Sequence, residues 1–314
     1  MIESLRKRGF RVKAGIRRTA HARYFAGFHD VETITIDILD RQSLVRAMKD
    51  VDSVYHFAAL VDAMASGDDL FRVNEEGTRK VWECAAASGV SAALYCSSAA
   101  VYGLLASSDQ PITEDVRPKA VEPYGRSKLA GESIALEVAE KSGLPTIIIR
   151  PVGLFGPGEH TPVGVALRSA AFSSFLLARA VKDRKFSYAH VEDVSEAAAH
   201  LMHREGCEGQ VFNVVVDNPI SFDEAFEAYL RVLNRSGYPL GRAKLLGNVS
   251  VLMQKLPSIT HLLSRSAGRL GFTVWRPEFF ITYSSKKLLE TSFRFKWARF
   301  EELLQSCMND FAHC

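Results

Sequence analysis

Ser97-Ser98-Ala99-Ala100-Val101-Tyr102-Gly103 and, after a proline-bearing loop, Tyr124-Gly125-Arg126-Ser127-Lys128 are the two stretches around which the rest of the chain is read. Ala92-Ala93-Leu94-Tyr95-Cys96, just ahead of the serines, is a short apolar run that reads as a buried strand. Ligands of open α/β sheets bind at the carboxyl ends of such strands. The residues after Lys128, Leu129 to Leu136, read as a helix. Residues four apart share a helix face, so the Tyr124 phenol and the Lys128 ammonium point into one site. A free tyrosine, with a pKa near ~10, is a poor base at neutral pH, and a neighbouring cation favours its ionised form. Such a pair trades a proton with an alcohol or carbonyl oxygen. The Ser98 hydroxyl can hydrogen-bond that same oxygen. Taken singly, each signal has a plain alternative: the Tyr-x-x-x-Lys spacing arises by chance, and paired serines also cap strands and turns.

Read with Ile149-Arg150-Pro151 and Phe155-Gly156-Pro157-Gly158, the two stretches resemble the extended short-chain dehydrogenase/reductase family. That group includes the NAD-dependent epimerase/dehydratases and the 3β-hydroxysteroid dehydrogenase-like enzymes. The resemblance runs from Met1 to about Asn213, and the last hundred or so residues match only loosely. It implies an α/β fold, a doubly wound parallel sheet with a smaller discontinuous substrate lobe. Residues 1–153 and 186–216 would form the dinucleotide-binding domain, and 154–185 and 217–314 the lobe. It also implies hydride transfer between a nicotinamide and a secondary alcohol or ketone. In that reading Tyr124 is the general acid/base, and Lys128 lowers its pKa and holds the nicotinamide ribose. Ser98 polarises the reacting oxygen, with Ser97 as its neighbour. Asp37 and Ile38 meet the adenine, and the backbone at Phe57, Ala58 and Ala59 approaches the cofactor. Asn74 props the adjacent strand ends, unless it is a plain helix-start asparagine. Pro151 and Val152 lie beside the nicotinamide.

The chain departs from this pattern at its start. Ile2 and Leu5 read as one face of a helix that Gly9 ends, and Arg11 to Ile16 as the family's second strand. The first strand and its Gly-x-x-Gly-x-x-Gly turn, which brings backbone amides to the pyrophosphate, are not in the sequence. Their loss is expected to weaken cofactor binding severely and to leave the neighbouring strands unpaired. A start codon called too late, or a truncated product, accounts for it, with the first preferred. After the second strand, NAD enzymes carry an acidic residue for the ribose; here Ile16 is followed by Arg17 and Arg18. A guanidinium holds a 2′-phosphate, so NADP is favoured over NAD.

The remaining elements follow in order. Thr33 to Ile36 reads as a strand, Asp40 as the cap of a helix from Arg41 to Met48, and Asp52 to Leu60 as a strand. Asn74 to Thr78 opens a helix, and the loop from Leu104 to Pro123 either closes over substrate or lies passive. Thr146 to Ile149 is a near-continuous apolar strand, and Phe186 to Val194 a strand leading to a helix capped near Asp193. Gln210 to Val214 is a strand, and Ser221 with Glu224 forms a capping box for a helix to Asn234. Val249 to Leu263, apolar and broken at Pro257, reads as a helix of the lobe in preference to an amphipathic membrane-surface element, and helices start near Thr282 and Arg299. His200 and His203 have no third partner, so no metal site is expected.

Bulk properties exclude several classes. The 314 residues, 47% hydrophobic and 24% charged, supply an ordinary globular core. A net charge of +3 argues for neither nucleic acid nor a membrane surface. No apolar run is long enough to span a bilayer. Five scattered cysteines without a Cys-x-x-Cys pair read as reduced thiols, which places the protein in the cytoplasm, or in an organelle if the arginine-rich start follows a transit segment. The expected partner is a small-molecule substrate, and a homodimer is usual for the family. Ala99 and Ala100 stand where a dehydratase is expected to carry acidic residues. A simple oxidoreductase is therefore put ahead of a sugar-nucleotide epimerase, and a non-catalytic nucleotide-binding protein on the same fold is the rival from another class.

Overall fold

The structure, a computed structural model, describes residues 1–61, 65–103, 110–157, 184–235 and 281–311. In chain order its elements begin with α1 (Ile2–Arg6), β1 (Val12–Ile16), β2 (Val31–Thr35), α2 (Arg41–Ala47) and β3 (Ser53–His56). They continue with α3 (Gly67–Phe71), α4 (Gly77–Ala87), β4 (Ala92–Cys96), α5 (Pro123–Ser142) and β5 (Thr146–Pro151). After β5 come β6 (Leu154–Phe155), β7 (Lys185–Phe186), β8 (Ala189–His190), α6 (Val191–Met202) and β9 (Val211–Val214). The last are β10 (Ile220–Ser221), α7 (Phe222–Arg235), α8 (Lys286–Glu290) and α9 (Phe300–Phe311).

The apolar run in β5 decides the layering. Every β5 residue is buried. Side chains alternate across a strand, and here Ile147 and Ile149 join a core with Leu94, Ala197, Ala198, Leu201 and Phe212. Ile148 joins the opposite core, with Trp82, Ala85, Ala135 and Val138. Helices α4 and α5 therefore cover one face of the sheet and α6 the other. A strand buried on both sides needs no polar alternation, which is why its sequence shows none.

The main sheet has the order β3-β4-β5-β9, and all its neighbours are parallel. The first two strands form a separate parallel pair, with Val12 opposite Val31 and Ile16 opposite Thr35. Among the described residues β1 pairs with β2 alone, and β3 with β4 alone. Among the described residues the sheet is thus interrupted between β1 and β3. Side chains tie the first unit to the rest. Arg8 reaches Glu196 at 2.7 Å, the amino group of Met1 donates to Ser195 Oγ at 2.7 Å, and Phe10 stacks on His203 at 4.6 Å between centroids.

A second apolar cluster gathers Phe155, Phe186, Tyr188, Phe222, Tyr229, Phe300 and Leu303. It joins α7 and α9 to the short strands that follow β5. The capping box of α7 is present: the Glu224 carboxylate accepts from the Ser221 N–H at 3.0 Å, and Ser221 Oγ accepts from the Glu224 N–H at 3.4 Å.

Three local expectations are corrected. Asn74 does not open a helix, because helical backbone already starts at Gly67 with Ser66 as its cap and passes through a π turn, Arg72–Glu76, into α4. The cap of α6 is His190, whose Nδ1 accepts from the Glu192 N–H at 3.1 Å. Asp193 instead accepts from the backbone N–H groups of Lys296 and Trp297 at 2.9 and 3.0 Å. Strand β3 stops at His56, short of Leu60. The expected helix at 249–263 lies outside the described residues.

Candidate active site

At the end of β4 the chain turns at Ser98, whose Oγ accepts from the Ala100 N–H at 3.2 Å and starts a 3-10 turn, Ala99–Tyr102. Pro123 begins α5, where its missing N–H leaves no bond unmade. Helix α5 comes down on this turn because Gly125 faces it. A Cβ at that position would stand 2.5 Å from the Ala100 carbonyl oxygen. Gly125→Ala is therefore expected to cost about 1–3 kcal/mol, with α5 displaced from the serine turn. Urea unfolding measures that loss.

The close approach brings the Ser98 hydroxyl near the Tyr124 phenol. Burial pushes that phenol up to about 12, the neighbouring Cys96 adds to the rise, and the nearby Ser98 hydroxyl partly offsets it. Lys128 lies one turn further along and is 2% exposed. Burial pulls its ammonium down to about 8, against the pull of Cys96 and Glu132. Its Nζ stands 4.2 Å above the centre of the Tyr95 ring. Lys128 is not among the groups that shift the Tyr124 phenol, so the expected lowering of that pKa is not present in this state.

Asn74 is buried and braces two parts of the site. Its Oδ1 accepts from the Leu60 N–H at 2.7 Å, and its Nδ2 donates to the Leu60 carbonyl at 3.0 Å. The same Nδ2 reaches Ser127 Oγ at 2.9 Å, and that hydroxyl donates to the Tyr124 carbonyl at 2.8 Å. The π turn thus fixes the segment after β3 against the first turn of α5. Such widened turns occur often at functional sites.

Below Lys128 lies a buried ion pair. Arg150 of β5 donates through Nε and Nη2 to the two Glu132 carboxylate oxygens at 2.8 and 2.7 Å. Its Nη1 donates to the Tyr102 hydroxyl at 2.8 Å. That hydroxyl donates to Asn213 Oδ1 at 2.9 Å. The Asn213 N–H donates to Glu114 at 2.6 Å. Desolvation works against the Arg150 charge, but Glu132 and Tyr102 outweigh it and hold the guanidinium protonated. The described part of the loop before α5 is pinned in the same region, with the Ile112 N–H donating to the Thr282 carbonyl at 2.9 Å.

The remaining site residues sit where parallel strands end. Arg17 is exposed directly after β1, and Asp37 and Ile38 follow β2. Asp37 accepts from the Leu39 N–H at 2.9 Å. Phe57 and Ala58 are exposed beyond β3, with Ala59 half-buried after them. Pro151 and Val152 are buried at the end of β5. Ser97 Oγ is buried with no hydrogen-bond partner, and no acceptor is found for Lys128 Nζ among the described residues. These two unmet polar groups are of the kind that would hold the ribose of a dinucleotide. No glycine-rich turn for its pyrophosphate is in the sequence.

The model of the NAD dependent epimerase/dehydratase family matches residues 1–214. The chain belongs to that family. A relative, the 3beta-hydroxysteroid-dehydrogenase/decarboxylase isoform 2 of Arabidopsis thaliana, is 26% identical over 280 residues, covering 83% of this chain and 46% of its own. The chain spans about half the length of the first curated relatives it matches. Among solved structures, the UDP-glucose 4-epimerase of Thermus thermophilus in complex with NAD aligns with a TM-score of 0.71 at 20% identity, covering 99% of this chain and 94% of that one. RMD from Pseudomonas aeruginosa complexed with NADPH aligns with a TM-score of 0.65 at 19% identity, covering 97% of this chain and 99% of that one. These likenesses are of fold.

For this member of the epimerase/dehydratase family, four structural partners of the site escaped the sequence reading: Tyr95, Ser127, Glu132 and Arg150. A signal existed for two of them. Glu132 stands four residues past Lys128 on the same helix face. Arg150 is a charge at the end of an apolar strand, and a buried charge requires a partner. His200 and His203 are accounted for without a metal: His200 Nε2 meets Thr291 Oγ1 at 2.9 Å, and His203 Nε2 meets the Tyr55 hydroxyl at 3.3 Å. Among the described residues no cluster of three metal-ligating side chains occurs, and no helix is long and apolar enough to cross a membrane.

Proposed function

We propose that the protein is a nicotinamide-dependent oxidoreductase acting on a secondary alcohol or ketone through Ser98, Tyr124 and Lys128. The observation that carries this reading is the Tyr124 phenol lying near Ser98, beside a buried Lys128 ammonium that has no acceptor among the described residues. A nicotinamide, when bound, supplies the hydride chemistry, and the protein supplies position and a proton. Tyr124 gives the proton to the carbonyl oxygen or takes it from the alcohol. Ser98 orients that oxygen, with Ser97 as its neighbour in the chain, and Lys128 holds the ribose side of the cofactor. A phenol held up to about 12 is a proton donor at neutral pH, which supports ketone reduction as the direction. Lys128 is charged below about 8, so activity that needs the ammonium declines as pH rises through that value.

Asp37 and Ile38 would hold the adenine side, with the backbone of Phe57, Ala58 and Ala59 beneath the cofactor and Pro151 and Val152 beside its ring. Asn74 braces that surface. Residues 1–153 and 186–216 would serve as the cofactor domain, and 154–185 and 217–314 as the substrate lobe. A small-molecule substrate, a cytoplasmic setting and a homodimer complete the reading. The sterol-type relative with its long match supports the oxidoreductase ahead of a sugar-nucleotide epimerase, as do Ala99 and Ala100 after Ser98.

The test is turnover by the full-length protein with NADPH and NADH across ketosteroids, other ketones and UDP-hexoses. Cofactor oxidation with a ketone supports the oxidoreductase, and interconversion of UDP-hexoses without net oxidation supports the epimerase. Binding without turnover on any of them overturns the enzyme reading. The exposed Arg17 supports NADP over NAD. Arg17→Ala is expected to weaken NADPH by roughly tenfold while NADH changes little, in line with the loss of one charged hydrogen-bonding partner of a phosphate. Tryptophan-fluorescence titration reads both, and equal effects on the two cofactors refute the preference.

A further inference from the structure

The Lys128 side chain is withdrawn from water, and no carboxylate or carbonyl among the described residues receives a hydrogen bond from its ammonium. A buried cation without an acceptor would ordinarily shed its proton or move. What it faces is the Tyr95 ring, with Nζ 4.2 Å above the centroid. Tyr95 is itself fully buried on β4, directly before Cys96 and the two serines. Its ring is locked edge-on by Trp82 at 5.7 Å and 84° and flanked by His56 at 5.7 Å. Its hydroxyl makes no hydrogen bond of regular geometry, although Thr78 stands near it. Its tip lies against α5, where a Cβ on Gly131 would overlap it. What Tyr95 offers Lys128 is therefore its ring.

We propose that Tyr95 is a positioning residue for the reaction: its ring face is the seat that keeps the Lys128 ammonium charged and aimed at the cofactor side of the site. This rests on the reading of Lys128 given above and adds a residue that the Ser98–Tyr124–Lys128 constellation does not contain. The face of an aromatic ring attracts a cation through its quadrupole, and the attraction is largest where water is excluded. Of the other groups facing Lys128, Glu132 and Cys96 also favour its charge, but none of them offers its ammonium an acceptor. Cys96 on β4 is a thiol that burial holds neutral, pushed up to about 11. Tyr124 on α5 is a neutral phenol. His56 on β3 is held down to about 3 by burial and by Lys128, and so is also neutral. Glu132 on α5 is engaged by Arg150 through both carboxylate oxygens.

The experiment titrates Lys128 directly in the full-length protein, without cofactor or substrate, by NMR of lysine labelled with carbon-13 at Cε. The Lys128→Arg spectrum assigns the resonance. Tyr95→Phe keeps the ring face and removes only the poorly bonded hydroxyl, so the Lys128 pKa is expected to stay where it is in the native protein. Replacement of Tyr95 by trifluorophenylalanine keeps the shape and the fold but removes the negative ring face. The Lys128 pKa is then expected to fall by about one unit, the shift that a desolvated cation–π contact is worth. An unchanged or raised value in the fluorinated protein overturns the proposal, as does an equal fall in Tyr95→Phe. The titration needs no turnover, so its failure leaves the enzyme reading untouched, and a failure of that reading leaves the titration interpretable.

Discussion

Tyr124→Phe in the full-length protein is expected to lower kcat/KM by roughly 10²–10⁴-fold, the range that a positioned general acid or base contributes. Cofactor affinity is expected to stay within about threefold, because the substitution removes one hydroxyl and leaves the ring in place. The expectation follows from where that hydroxyl sits. It lies near Ser98, and burial holds it in its proton-donating form. Steady-state kinetics with the best ketone or alcohol, alongside a fluorescence titration of cofactor, separates the two effects. Full activity in the variant removes Tyr124 from the chemistry.

Arg150→Met alone is expected to cost about 3–5 kcal/mol, because it leaves the Glu132 carboxylate buried without its partner. The Arg150 and Glu132 side chains are only 6% and 4% exposed, so solvent screens the pair little. For a cooperative unit of this size such a loss lowers Tm by roughly ten degrees. Glu132→Leu with Arg150→Met removes both charges together and is expected to recover most of it, since apolar replacement of a whole buried pair is often nearly neutral. Tyr102 keeps Asn213 as its acceptor in either case. Thermal unfolding of the two single variants and the double variant gives the coupling. Additive losses would mean that the pair does not hold α5 to β5.

The parts of the site that the sequence exposes are those whose neighbours are close along the chain. Ser98 ends one strand, and Tyr124 and Lys128 share one helical turn, so spacing alone brings each to its place. Two-sided burial of β5 was legible for the same reason, as an unbroken apolar run. Contacts that depend on how a helix lies on a sheet were not. Glu132 meets Arg150 only because Gly125 and Gly131 let α5 settle onto β4, a fact of packing that no local pattern records. The π turn at Asn74 preserves helical composition on both sides and so leaves no mark in the hydrophobic period. Strand β3 was read too long because Phe57 to Leu60 stay apolar after the chain has left the sheet, where they are exposed or half-buried.

The most direct test of the account follows one atom. Full-length protein is supplied with NADPH carrying deuterium at the transferable C4 position, together with a 3-ketosteroid or a UDP-4-ketohexose, and the product is analysed by mass spectrometry. Deuterium on the carbinol carbon of either product, lost when Tyr124 is phenylalanine, is the predicted result. Cofactor that binds but leaves both products free of deuterium would contradict it.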